Sequence, residues 1–378
     1  MSLEFRFADP DEYPSIAQFL NDHWAERHIY CRSETLFRWT FGRRSQWQQE
    51  GFSVAVAVDN GELAGILGGI PFVFNHFGKT CRAVWLANYV IRESARKGPA
   101  ALKLLSMLRG APFGATLAFG INPATANIYR VLKGQVFPVI PRHILVLPEA
   151  VPRMIGLLRT AHPDWSDSEA SSLAERYVLS SGLLSIPSRV DQLLPDNWDE
   201  TYWTYVAPTV IGALRDREYL CWRYVQHPQF EYRFIVLREG VRSGLVVWRL
   251  EVIHQSHATD GWIPVDRIAR VVEFLPSSEE NAANLMGSLV EAIRQEGVIG
   301  ADYCGYHGKT RAMLNSLGFH EASESDAERV PSRFQPLDGK GGNILSAGFL
   351  PAGTPGCSLD PECPWYWTKS DSDQDRPN

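Results

Sequence analysis

The chain is poor in cysteine, and the cysteines it has are badly spaced for chemistry. All six, at 31, 81, 221, 304, 357 and 363, stand outside any C-x-x-C pair. That excludes a zinc ribbon or a thioredoxin-type redox site and fits free thiols in a reducing compartment. Cys357 and Cys363 are near enough to pair, but no second ligand pair accompanies them, so no metal is expected. No apolar run approaches the roughly 20 residues of a membrane span, so no membrane partner is expected. The first 30 residues carry Asp, Glu and Arg throughout, which argues against a secretory leader and for a cytoplasmic protein. Positive charge is not in excess. A net charge of −6 argues against nucleic acid as a partner. Gly-x-Ser-x-Gly is also missing, which removes support for a hydrolase triad.

What is present is enough for two domains. The chain has 378 residues, 45% of them hydrophobic and 21% charged, with twelve Trp. It also repeats itself. Residues 32–41 (RSETLFRWTF) echo residues 215–224 (RDREYLCWRY), so that Arg32, Phe37, Trp39 and Phe41 align with Arg215, Leu220, Trp222 and Tyr224. The two copies differ in charge. Residues 92–142 hold eight Lys/Arg against one acid, Glu93, whereas 275–325 hold three Lys/Arg against seven acids. Only the first copy suits an anionic ligand.

Hydrophobic periodicity predicts a strand at 3–8, helices near 10–24 and 33–42, and a meander over 52–58, 63–74 and 80–91 with a hairpin at Asp59-Asn60-Gly61. Helix 99–109, strand 115–121, helix 123–133 and strand 136–147 follow. The second half repeats the series, with a helix at 279–295 and another at 308–317. The expected fold class is α/β (α+β): two tandem domains, each a mostly antiparallel mixed sheet with helices on both faces. Residues 1–150 form the first, 151–199 a Pro-rich linker, 200–350 the second, and 351–378 a tail. The tail is expected as coil, anchored by Trp365, Tyr366 and Trp367.

The chemistry concentrates after the third meander strand. Gly98, Ala100 and Ala101 are small residues where a strand turns into a helix, so unpaired backbone N–H groups converge there. Pro99 suits the first helical position, and Arg96 and Lys97 add full charges. Such a site suits a diphosphate.

These residues resemble the GNAT acyltransferase superfamily, whose members use acyl-coenzyme A. Its signature is (Gln/Arg)-x-x-Gly-x-(Gly/Ala) after a strand. Here the register gives Ala95-Arg-Lys-Gly98-Pro-Ala100, with Ala95 departing from the pattern and Arg96 adjacent. Asn122, Tyr129, Gly134 and Phe137 resemble the next motif, with two residues inserted before the Phe. The resemblance covers most of 3–147 and again about 200–349, where Glu279 and Glu280 replace the phosphate loop. That second copy is read as degenerate for coenzyme A. Within the superfamily the chain resembles tandem acyltransferases that N-acylate nucleotide-linked amino sugars, such as dTDP-3-amino-3,6-dideoxyhexoses, in surface-polysaccharide biosynthesis.

The resemblance implies acyl-coenzyme A as cosubstrate, with its pantetheine arm between strands 80–91 and 115–121. Tyr89, Val90, Arg96, Lys97, Gly98, Ala100, Ala101, Asn122 and Asn127 are its expected contacts. Tyr129 would protonate the leaving thiolate, and Asn88 stands where many relatives carry a general base. Arg142, His143, Trp365, Trp367 and Lys369 are the expected contacts to the acceptor, a small-molecule nucleotide amino sugar. A homodimer is left open. The alternatives are a non-catalytic acyl-coenzyme A sensor and a tandem acetyltransferase acting on another small amine.

Overall fold

Hydrophobic runs punctuated by Gly turns become strands. In a computed structural model, which describes residues 3–26, 28–42, 47, 50–110, 113–180, 190–257, 261–339, 345–350 and 362–375, fifteen strands join in one sheet. The first half runs β1 (Glu4–Phe7), α1 (Tyr13–His23), α2 (Ile29–Arg32), α3 (Glu34–Phe41), β2 (Val54–Asp59), β3 (Glu62–His76), β4 (Lys79–Ile91), α4 (Ala100–Gly110), β5 (Ala115–Phe119), α5 (Pro123–Val131), β6 (Gln135–Ile140) and β7 (Arg142–Val146). Two helices, α6 (Val151–Ala161) and α7 (Asp167–Glu175), and the short α8 (Trp198–Thr201) lead to β8 (Ile211–Ala213). The second half runs α9 (Arg217–Leu220), β9 (Tyr232–Glu239), β10 (Arg242–His257), β11 (Gly261–Leu275), α10 (Glu279–Gln295), β12 (Gly300–Tyr306), α11 (Gly308–Ser316), β13 (His320–Glu321), α12 (Glu324–Ala327), the β14–β15 ribbon (Arg333–Phe334, Leu337–Asp338) and β16 (Leu345–Leu350). It ends with β17 (Trp365–Thr368).

Local chemistry explains the element ends. Asn60 and Gly61 both take positive φ, 52° and 85°, as a tight two-residue hairpin requires. The Ser33, Asp216 and Ser278 side chains accept from backbone N–H groups at the starts of α3, α9 and α10. The two echoing segments meet: the Trp39 and Trp222 rings stack with centroids 4.6 Å apart at 18°. The Arg223 guanidinium covers Trp39.

The halves also exchange strands. The single strand expected over 136–147 is two, divided at Pro141, which cannot donate to a ladder. β6 stays in the first half, while β7 crosses over and pairs with β12 and β13. In return β16, from the second half, lies between β5 and β6. Each half is therefore completed by a strand of the other.

The stretch 151–199, expected as a linker, carries α6 and α7. Their Met154, Leu157, Leu158 and Leu173 are buried in the second half's core. The tail differs from the expected coil. β17 pairs with β12 on one side and with β8 on the other, and β8 pairs with β3, so the tail stitches the two sheets together. Cys357 lies outside the described residues.

Candidate active site

β4 and β5 run parallel and pair from Ala83–Ala115 to Leu86–Ala118. Beyond that point they part. The cause lies in β4: Ile66 pairs with Val90, but Gly68 pairs with Ala87, so Asn88 and Tyr89 together oppose one residue of β3. Asn88 takes a left-handed φ of 50° in this bulge. The result is a wedge between the C-terminal ends of β4 and β5, with one strand edge left free for an extended ligand.

Three buried polar groups in this region lack hydrogen-bond partners among the described residues: the Asn88 amide nitrogen, the Tyr89 hydroxyl and the Tyr129 hydroxyl. These three groups are free, among the described residues, to bond a ligand lying in the wedge. Tyr129 is 1% exposed, and burial, with Tyr89 adding, pushes its phenol well above its usual range. Burial likewise pushes Tyr89 up to about 12. Both hydroxyls hold their protons at neutral pH and can donate them. Gly348 on β16 makes room for the Tyr129 ring: a β-carbon there would stand 2.7 Å from two ring atoms.

The strand leads into the loop expected to meet a diphosphate. Arg96, Lys97 and Gly98 are exposed and Ala100 is buried as α4 begins. The Arg96 Nε donates to the Ile91 carbonyl, bracing the loop. The Gly98 N–H is bonded to the Ala95 carbonyl, and the first bond of the helix is Lys103 N–H to Pro99 O, which leaves the N–H groups of Ala100, Ala101 and Leu102 outside the helical ladder. Val90 is buried in β4 and Ala101 is half-buried. Asn122 caps α5 by accepting from Thr125 N–H, and Asn127 accepts from Arg130.

At the corresponding junction of the second half this equipment is already used. The Ser278 and Asn281 side chains accept from Asn281 N–H and Ser277 N–H, and both serine hydroxyls donate to Glu239. β11 and β12 stop pairing after Val271–Tyr303, and β17 takes up Gly305 and Tyr306 just beyond. From β17 the Tyr366 hydroxyl accepts from Phe274 N–H and donates to Glu273. The second wedge is filled by the chain's own tail.

A cavity of about 880 Å³ lies between the halves. Trp24 and Arg32 come to it from the first half, strands β7, β10, β11 and β12 from the second, and Lys369 and Gln374 from the tail. Gln374 also touches the end of β5, since a β-carbon at Gly120 would stand 3.1 Å from its amide carbon. The walls are an ion network. Arg142 bonds Asp302 and the carbonyls of Val330 and Pro331. Arg270 bridges Glu251 and Asp302, and Arg249 bridges Glu251 and Asp375. Burial would raise Asp302, yet Arg270 and Arg142 hold it below the usual carboxylate range. Lys369 makes no hydrogen bond or ion pair among the described residues. Burial, helped by Arg270, lowers its ammonium to about 8.

Of the expected acceptor contacts, then, Arg142 and Lys369 line the cavity and the other three do not. His143 is 0% exposed beside Tyr303 and Glu321, outside the cavity, and burial lowers it to about 4, so it is neutral and shut away from any phosphate. Trp365 and Trp367 are 0% exposed and pack edge-on against Phe137, filling the core rather than covering a ligand. Sequence reasoning missed Arg249, Arg270 and Glu251. Their one signal was charge inside strands that otherwise read as buried.

No family model matches the sequence, and no curated protein matches it. Solved structures do. A GCN5-related N-acetyltransferase from Anabaena variabilis superposes with a TM-score of 0.54 at 11% identity, over 92% of this chain and 72% of that one. Saccharomyces cerevisiae N-myristoyltransferase with bound myristoyl-CoA gives 0.54 at 12% identity, over 92% and 82%. A GCN5-related N-acetyltransferase from Kribbella flavida gives 0.51 at 13%, over 92% and 71%. The bulged and splayed β4–β5 pair, present once open and once filled, thus sits in a chain that has the fold of GNAT-type N-acyltransferases over nearly its whole length.

Proposed function

We propose that the protein is an acyl-coenzyme A-dependent N-acyltransferase with one donor site per chain, in the first half. The observation that carries this is the open β4–β5 wedge with the unpartnered Asn88, Tyr89 and Tyr129 groups beside it. Arg96, Lys97 and the start of α4 hold the donor's diphosphate by charge and backbone N–H groups. The free edge of β4 at Asn88 to Val90 pairs with the extended arm and holds the thioester carbonyl. The acceptor's neutral amine attacks that carbonyl, the carbon–sulfur bond breaks, and Tyr129 gives its proton to the departing sulfur. The amine's surplus proton passes to water and the phenol is restored from solvent. The phenol is protonated at neutral pH; burial raises its pKa and so makes it a weaker acid in the free protein, and the thiolate forming beside it is what draws the proton.

The acceptor is proposed to be a nucleotide-linked amino sugar. The size of the interdomain cavity and its cationic lining support that class. The test is release of free thiol from acetyl-coenzyme A in the presence of a panel of nucleotide amino sugars and simpler amines. Thiol released with an amine present, and N-acylated product by mass, establishes the activity. Tight donor binding with no thiol release from any acceptor would make the protein a sensor and overturn the proposal.

A further inference from the structure

One face of the first half carries more charge than a bound diphosphate accounts for. Between Glu93 and Glu149 the sequence has no acidic residue, although the chain as a whole stands at −6. α4 and α5 pack on the same face of the sheet through Leu104, Leu105, Leu108 and Tyr129, and each starts where a strand of the wedge ends. Their outer sides are alike. On α4, Leu102 is 60% exposed, and Lys103 and Arg109 are exposed with it, Arg109 seven residues on and so on the same side. At the end of α5, Val131 is 82% exposed between the exposed Arg130 and Lys133. Arginines elsewhere on the surface are held by acids: Arg6 by Glu12, Arg153 by Asp266, Arg176 by Asp326 and Arg311 by Glu321. Lys103, Arg109, Arg130 and Lys133 make no ion pair among the described residues. A diphosphate at the start of α4 would engage Arg96 and Lys97. Arg109 lies about 14 Å further along the helix axis than Ala100, at 1.5 Å per residue, and Lys133 lies past the far end of α5. Cations spread this widely, with two apolar side chains set among them, suit a partner's surface rather than a small ion.

We infer that the α4–α5 face docks a small acidic protein that carries the acyl group on a phosphopantetheine arm, and that the arm enters the wedge from this side. This rests on the reading of the wedge as the donor site and names a second bearer of the same arm. The wedge meets only the extended arm and its thioester, which a carrier protein presents as coenzyme A does. The carrier's acidic surface meets the unpaired cations, while the negative charge of the rest of the chain turns it away from other faces, so that it arrives in register with the wedge. Leu102 and Val131 give the contact apolar centres. Transfer runs as for coenzyme A. The acceptor's amine attacks the thioester, the carbon–sulfur bond breaks, the sulfur takes its proton from Tyr129, the amine's surplus proton goes to water, and the carrier leaves with a free thiol.

A bacterial acyl carrier protein bearing an acetylated phosphopantetheine arm is titrated into the full-length protein by calorimetry. It binds, acetyl-coenzyme A displaces it because the two share the wedge, and its affinity falls as salt is raised. The same carrier without its arm binds more weakly. Arg109→Glu combined with Lys133→Glu, both remote from the donor loop, weakens the carrier by about tenfold or more, the scale of reversing two interface charges. The double variant leaves acetyl-coenzyme A affinity unchanged, which also reports that it is folded. Absence of carrier binding, binding that acetyl-coenzyme A does not displace, or binding indifferent to the double variant would each overturn the inference. So would adsorption to phosphatidylglycerol vesicles in place of carrier binding, lost in the double variant, since the face would then be a membrane contact. The two proposals fail separately. A protein that releases thiol from acetyl-coenzyme A but binds no carrier keeps its acyltransferase reading and loses this one. A carrier bound at Arg109 and Lys133 and displaced by acetyl-coenzyme A, with no thiol released from either donor by any amine, does the reverse.

Discussion

In the proposed reaction Tyr129 is the proton donor. Its hydroxyl is buried and unpartnered, so Tyr129→Phe removes a proton donor and little packing. Turnover should fall by roughly 10²-fold or more, the range for a lost general acid, while the Michaelis constant for the acyl donor changes little. Steady-state thiol release measures both. Gly348→Ala should mimic the loss from a distance, because the added carbon would meet the Tyr129 ring at 2.7 Å and push it aside. Lys369 gives a pH signature. Burial lowers its ammonium to about 8, so its cationic form is lost as pH rises through that value. The charges facing it are those of Arg270, Asp302, Glu251 and Asp375. An unfolded lysine holds its proton to about 10.4, so between these values the unfolded chain binds more protons and this residue's contribution to stability rises with pH. Titration of Lys369 followed by NMR from pH 6 to 9 checks the first statement, and the Tm over the same range checks the second, with Lys369→Arg expected to remove the pH dependence.

Two elements decide whether the chain folds and what it binds. The tail's Asp371 bonds Arg215, Tyr219 and Thr368 N–H, and its Asp375 bonds Arg249 and Tyr232. All are buried. Asp375→Asn should therefore destabilise the protein by about 3–5 kcal/mol, as removal of one partner of a buried ion pair does, visible as a lower Tm. Deletion from Pro364 onward should prevent folding rather than merely weaken acceptor binding. The proposed donor loop is the second element: Gly98→Glu places a carboxylate just before α4 and should abolish coenzyme A binding, which is expected at one per chain in the parent, and calorimetry checks both. The sequence showed some of this and hid the rest for physical reasons. α10 was legible residue by residue, because its apolar spacing and its Ser278 cap are local signals. The Asn60-Gly61 hairpin was legible for the same reason. The acidic tail was not. Its arginine partners stand 156 and 126 residues away, and nothing local distinguishes a solvated Asp from a buried, paired one. The β4 bulge was equally silent, since a run of hydrophobic residues does not record which of them opposes two.

At the scale of the whole molecule, β7 and β16 pair in each other's half and β17 sits between the two sheets. Unfolding should be one cooperative transition, with the same midpoint by tryptophan fluorescence and by circular dichroism. Two separate midpoints would show that the halves are independent after all. The exchange also sets a schedule for synthesis. A chain emerging from the ribosome has made β5 and β6 long before it makes the strand that belongs between them, so the first sheet waits with a gap in it until residues 345–350 arrive. The open edges of β5 and β6 are then hazards, free to pair with another nascent chain. Residues 1–140 expressed alone should aggregate. Expressed together with 141–378, which brings both the missing strand and the one owed in return, they should be rescued into a soluble pair.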